Sequence, residues 1–136
     1  MNAKKSFKAF LVLLALYVGL VVLFESSLGY FQPEAGSTIV IETYDASGAG
    51  HSRVVSLLAS GGNEYVAVNH WPRAWYGRLR DNPRIGVTRQ GRQTDYLAGM
   101  VSGAEHDQVQ RDNPTPFMFR LLTGFPPRYF VRLDPL

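Results

Sequence analysis

Residues 38–69 read TIVIETYDASGAGHSRVVSLLASGGNEYVAVN, and their pattern decides the fold class. Residues 38–44 are dense in β-branched and aromatic side chains, which suit a pleated, half-buried strand. Residues 45–52 (DASGAGHS) form a glycine-rich loop. Residues 53–59 and 64–69 give two more strands, and Ser60-Gly61-Gly62-Asn63 between them is a strong turn signal. Strand, tight turn and strand make a hairpin.

Further along, residues 73–80 predict a short helix. Trp75 and Leu79 are four apart and share a face, with Tyr76 beside them. Asn82-Pro83 ends that helix, because the residue before a proline avoids the helical region. Residues 84–89 and 92–101 predict a second hairpin around Gln90-Gly91. Ile85 and Val87 on one strand, and Tyr96, Ala98 and Met100 on the other, alternate with polar neighbours. Such alternation predicts one buried face and one wet face. Ser102-Gly103-Ala104-Glu105 has capping-box spacing and predicts a helix over 103–111. Residues 113–116 break it. Residues 116–122 (PFMFRLL) predict a short apolar helix and residues 129–133 a last strand. About six strands with two or three short helices predict a mainly β (α+β) antiparallel barrel, whose closure removes exposed edges.

Upstream, residues 9–24 (AFLVLLALYVGLVVLF) carry no charge. As a helix they are ~24 Å long, somewhat less than the ~30 Å hydrocarbon core, and the Lys8 stem can make up part of the difference. The segment reads first as a single-pass transmembrane anchor (1–25), followed by a linker (26–36) and the barrel domain (37–136). Two other readings stand beside it. One is a cleaved signal peptide, with small residues at 27–29 as a cleavage site. The other is a buried core helix, since the segment is apolar all round. Lys4, Lys5 and Lys8 precede the span, and no Lys or Arg follows it until Arg53. That asymmetry places the N-terminus in the cytoplasm and the barrel on the far side.

Charge and composition exclude several classes. The chain has 136 residues, 46% of them hydrophobic, which suits one small domain. It has 14 Lys plus Arg, and the three lysines all lie before the apolar run. From Glu25 onward 11 arginines face 11 acids, so the rest of the chain is formally neutral. Nucleic-acid binding, which needs surplus cations for phosphates, is not expected. The absence of cysteine excludes a disulfide scaffold, a thiolate metal site and a thiol nucleophile. With three histidines, a metal site is not expected either. No hydrolase, zincin or P-loop motif occurs.

Two stretches can carry chemistry. In the 45–53 loop, successive backbone N–H groups can cradle an anion, and glycines permit close approach. Ser47, Gly48, His51 and Arg53 are the phosphate candidates there, against the alternative of an ordinary β-loop. Residues 69–83 (NHWPRAWYGRLRDNP) gather two Trp, one Tyr, one His and three Arg before the Asn-Pro break. Aromatic faces beside arginines suit a flat anionic ligand. The alternative is a helix whose Trp75 and Leu79 simply fill the barrel.

The run Trp75-Tyr76, Leu79, Asn82-Pro83 resembles the signature of the deazaflavin-dependent nitroreductase/quinone reductase family. The order of elements over residues 38–135 resembles that family too. The resemblance implies a split β-barrel of the flavin-reductase type, a deazaflavin coenzyme or FMN as cofactor, and hydride transfer to a quinone or nitro acceptor. It also implies a possible homodimer and a cytoplasmic supply of reduced cofactor, which conflicts with the outward orientation read from the lysines. In that family the loop after the first strand reads close to G-R-K-S-G-x-P-R and holds the cofactor phosphate. Here Asp45-Ala46 replaces its Arg-Lys pair, and Asp45 is expected to repel a phosphate. Asn69-His70-Trp71 replaces the small residues usual after the third strand. Ser47, Gly48, His51 and Arg53 are the candidates for the phosphate, Asn69, His70, Trp71 and Trp75 for the rest of the cofactor, with Trp71, Arg73, Trp75 and Tyr76 around the ring or acceptor. Arg73 and Tyr76 are the catalytic candidates, Arg73 stabilising charge on a reduced acceptor or ring. Phe117, Met118 and Phe119 line the acceptor entrance or belong to the core. The rival expectation is a non-enzymatic barrel that binds a lipid or other apolar ligand at the membrane.

Overall fold

The computed structural model describes residues 2–31, 37–69, 71 and 74–136. The strands are β1 (Thr38–Tyr44), β2 (Gly50–Ser60), β3 (Asn63–Val68), β4 (Arg84–Arg89), β5 (Arg92–Met100) and β6 (Tyr129–Pro135). They close into an antiparallel barrel in the order β1-β2-β3-β6-β5-β4. The helices among the described residues are α1 (Ala3–Phe31), α2 (Ala74–Asp81), α3 (Gly103–Asp112) and α4 (Phe117–Leu122). The expected elements are all present, with shifted ends.

Both tight hairpins have the backbone their sequences demand. Gly61 and Gly62 sit at φ +55° and +82°, and Gln90 and Gly91 at +51° and +75°. Two successive positive φ angles match the twist of the flanking strands. Gln90 accepts a left-handed conformation that disfavours side chains with a Cβ.

Closure depends on β1, which is paired along both edges. Ile41 lies opposite Arg53 on β2 and opposite Val87 on β4. Ile39, Ile41, Val55, Ile85, Val87 and Val131 fill the interior, and α2 adds buried Trp75 and Leu79 to the same cluster. β3 and β6 are covered on both faces. Val66, Val68 and Val131 belong to the interior, while Tyr65, Ala67 and Phe130 form a second cluster with Val109 of α3.

Three expectations need correction. Met100 was expected on the buried face but is 42% exposed. It is the last residue of β5, and the strand ends before anything covers its side chain. The capping box does not form, for Ser102 makes no side-chain cap bond. Glu105 instead accepts from Arg132 Nη1 at 2.8 and 3.0 Å and from Tyr65 Oη at 2.9 Å. A charge-assisted partner outcompetes a backbone amide. Finally, α1 runs through Phe31, so residues 26–31 of the expected linker are helical.

Residues Ala3–Leu28 are long and apolar enough to cross a membrane, a property shared by signal sequences and by some buried helices of soluble proteins. Phe7, Leu13, Leu16 and Leu23 are each more than 60% exposed. Further along, Tyr17, Val21, Phe24, Glu25 and Leu28 are partly or fully covered. That spacing is a single helix face, turned toward the rest of the chain.

The packing gives a direct test. Leu79 is 1% exposed, and Leu97 is 44% exposed. Leu79→Ala is expected to cost ~2–5 kcal/mol in denaturant unfolding, through lost burial and a residual cavity. Leu97→Ala should cost well under that, because its side chain is already half in water.

Candidate functional site

The 45–53 loop is expected from the sequence to offer its donors to a phosphate. Those of residues 47–51 that the structure pairs are already engaged with Asp45. Asp45 turns its carboxylate into the loop, where Oδ1 accepts from Ser47 N at 2.9 Å, Ser47 Oγ at 2.6 Å and Ala49 N at 3.1 Å. Its Oδ2 lies 2.8 Å from His51 Nε2. The loop is an anion nest whose anion is part of the chain. The His51 contact, then the Ser47 hydroxyl, holds the Asp45 carboxyl well below the usual carboxylate range. A depressed pKa means that this arrangement is kept above the ordinary Asp range and lost only in strong acid. Gly48 N donates to the Asp45 carbonyl at 2.9 Å, so Ser47, Gly48 and His51 form one closed cluster around Asp45, and as arranged it does not fit a phosphate.

Arg53 lies elsewhere. It lines a pocket of about 140 Å³ with Val68 and Asn69 of the β3 end, Trp75 of α2, Leu28 of α1 and Phe119 of α4. Burial lowers the pKa of the guanidinium, and the Glu25 carboxylate of α1 opposes that shift. Glu25 is itself 6% exposed, although it follows directly on the apolar run. Sequence reasoning did not find Glu25 or Leu28. Their signal is the covered helical stripe, and nothing local says what that stripe faces.

Asn69 stands between this pocket and a neighbouring cleft of about 400 Å³, which it shares with His106, Arg120 and Arg128. Arg128 Nε donates to Asn69 Oδ1 at 2.7 Å. A guanidinium can only donate, so this bond fixes the amide with its Nδ2 donors facing away from Arg128. Arg128 also donates to Gln110 Oε1 at 3.1 Å and to the Asn113 carbonyl, and it lies 4.8 Å from the Phe130 ring centroid. Its partners are neutral, and burial brings its pKa down to about 10.

Three of the predicted cofactor residues thus meet at one pocket, Arg53, Asn69 and Trp75. Tyr76 lies in a separate groove with Gly77, Arg80 and Tyr129. Its ring stacks on Tyr129 at 5.3 Å and 5° and meets Trp75 edge-on at 6.3 Å. Trp71 is 43% exposed. His70 and Arg73 lie outside the described residues. Phe119 lines the pocket, whereas Phe117 and Met118 are 66% and 60% exposed. α2 connects the two regions, because Trp75 lines the Arg53 pocket while Arg78 Nε donates to Thr43 Oγ1 at 2.9 Å.

No family model and no curated protein sequence matches the chain. Solved structures do resemble it. HutZ, a heme storage protein from Vibrio cholerae, matches at 19% identity and a TM-score of 0.55, over 83% of this chain and 90% of that one. A heme binding protein from Mycobacterium smegmatis matches at 13% identity and 0.52, over 71% of this chain. The match spans 45% of that protein's length. An F420-H2 dependent reductase, FDR-A, matches at 16% identity and 0.49, over 72% of this chain and 99% of that one, a likeness too slight to carry weight. At these identities the first two show a shared split-barrel fold.

Removing the internal anion should open the loop. In Asp45→Ala, the amide resonances of Ser47 and Ala49 are expected to move on titration with inorganic phosphate. In the wild-type chain they should stay fixed, and they should also hold as pH falls through the ordinary Asp pKa of ~3.9. Movement of the wild-type amides in either titration would show that Asp45 does not occupy the nest.

Proposed function

We propose that the chain is a membrane-anchored split-barrel oxidoreductase. In this reading it holds a flavin-like cofactor, FMN or a deazaflavin, and passes hydride to a lipophilic acceptor such as a quinone or a nitro compound. The observation that supports it is Arg53, a half-buried guanidinium beside an indole in a pocket at the barrel end. A cation next to an aromatic face suits a flat anionic ligand. The residues fit such a group in part. Arg53 can hold an anionic arm, the fixed Asn69 amide can donate to it, and Trp75 can flank it. The pocket is too small for a three-ring system, since ligand pockets of that class run to ~300 Å³ or more. It takes the arm, and the ring lies outside.

The cofactor supplies the hydride chemistry when bound; the chain supplies binding, orientation and charge. Arg53 neutralises the anionic arm, and Trp75, with Trp71 and His70, shields the ring from water. Arg73 is assigned to stabilising charge on the reduced acceptor, and Tyr76 to holding Trp75 in place through their edge contact. Residues 1–25 serve as the anchor with an N-terminus in the cytoplasm, residues 37–136 as the cofactor domain, and two copies form a homodimer.

Two observations favour a second reading. Asp45 fills the loop that would hold a phosphate, and apolar Leu28 and Phe119 wall the Arg53 pocket. A non-enzymatic barrel that binds a flat or apolar ligand at the membrane fits both facts. Heme is included as a ligand class, because two of the similar structures are described as heme proteins.

The test is a titration of the full chain in nanodiscs with FMN, a deazaflavin, hemin and a fatty acid, read by tryptophan quenching and ligand absorbance. Saturable binding of FMN or the deazaflavin is expected, weakened about tenfold in Arg53→Ala by loss of a charge-assisted contact. Binding of hemin or fatty acid alone would reject the oxidoreductase and establish the binding module.

A further inference from the structure

We infer that α4 and the turn after it enter the bilayer leaflet that the C-terminal half of α1 crosses, so that the chain meets the membrane through two elements. This rests on α1 being the anchor, as proposed above; the new element is the lipid contact of α4. Three observations carry it.

The first is depth. Tyr17 lies at the middle of the uncharged run, and its hydroxyl donates to the Leu121 carbonyl at 2.9 Å. One turn on, a Cβ added to Gly124 would lie 3.0 Å from Val21 Cγ1. Phe24 then meets Phe119 edge-on at 6.1 Å. α4 is thus level with residues 17–24, which at 1.5 Å per residue is the last ~10 Å of the apolar run. Interfacial helices bury their apolar face ~5–10 Å into the headgroup and acyl boundary.

The second is what α4 presents. Phe117 and Met118 are 66% and 60% exposed, and Phe125 is 44% exposed. Phe117 and Phe125 lie 5.9 Å apart, so the patch is continuous. Arg120 is the one charged side chain of α4, and its guanidinium lies 5.5 Å from the Phe125 ring centroid. A long cationic stem over an aromatic ring can reach headgroups while its stem stays apolar.

The third is the backbone. The last carbonyls of a helix have no partner within it, and in hydrocarbon water cannot supply one. Here the Phe119 carbonyl accepts from Thr123 N and Thr123 Oγ1 at 3.0 and 2.8 Å. The Arg120 carbonyl accepts from Phe125 N at 2.8 Å, and Leu121 from Tyr17. Three of the last four carbonyls of α4 are thus satisfied by the chain itself, which suits that end to a place with little water.

The chain has no cysteine, so single cysteines can be labelled without background. The full chain is reconstituted into phosphatidylcholine vesicles that contain brominated lipid. An environment-sensitive fluorophore is placed at Phe117→Cys, Phe125→Cys, Leu13→Cys on α1, or Ala46→Cys beyond the far end of β1. Labels at 13, 117 and 125 should each lose about half their emission to bromine, as lipid-immersed groups do, while the label at 46 keeps its own. Quenching at 13 with 117 and 125 behaving like 46 would overturn the proposal and leave the anchor standing. No quenching at 13 would remove the anchor and the proposal together. In a chain that also carries Met118→Asp and Phe117→Asp, quenching at 125 should fall at least to half while that at 13 persists. Unchanged quenching at 125 would count against α4.

Discussion

The two-sided pairing of β1 is the constraint on which the rest of the molecule depends. A strand with both edges bonded leaves no open edge at the seam, and a six-stranded barrel is narrow enough to be filled by its own side chains. With Ile39 and Ile41 committed inward, the ends of β1 have fixed roles. Its Thr38 end borders the Arg53 pocket, where α1 and α4 meet the barrel. Its Tyr44 end leads into the Asp45 loop. α2 joins the two, with Trp75 at the first and Arg78 bonded to Thr43 near the second. The candidate phosphate residues are therefore divided between two places, although all four fall within seven positions of sequence.

Many of the charges of the barrel resolve into local pairs. Arg89 meets Glu64 with two short bonds, Arg84 meets Asp95, and Arg132 holds Glu105 and Asp134 together. These pairs are partly exposed and add little stability each. Their effect is to leave the less exposed guanidiniums of Arg53 and Arg128 as the charges that matter near cavities. Arg53 faces a carboxylate on α1, and Arg128 faces neutral oxygens. Burial lowers the pKa of both, that of Arg128 to about 10.

Much of the fold was legible in the sequence, because its signals are local. Gly61-Gly62 and Gln90-Gly91 set two hairpins, Asn82-Pro83 stops α2, and the spacing of Trp75 and Leu79 gives its buried face. The site was legible in part. Residue types near 53 and 69–75 are unusual enough to notice, but which of them meet depends on contacts across the chain. Tyr17 and Leu121 are 104 positions apart, and no periodicity in either segment announces the other. Glu105 shows the opposite failure, where a local rule was satisfied on paper and a cation on β6 took the side chain. Asp45 was read as a charge that repels a ligand, whereas its geometry makes it a substitute for one.

That substitution has an evolutionary corollary. A nest already shaped around a carboxylate has the geometry of an oxyanion receptor, and its occupant is a single side chain on the loop itself. The distance between a sealed loop and a ligand-accepting one is therefore one codon. Descendants of such a chain can acquire a soluble anion as ligand, or lose one, without rebuilding the barrel, so binding capacity in this architecture can come and go faster than the fold diverges.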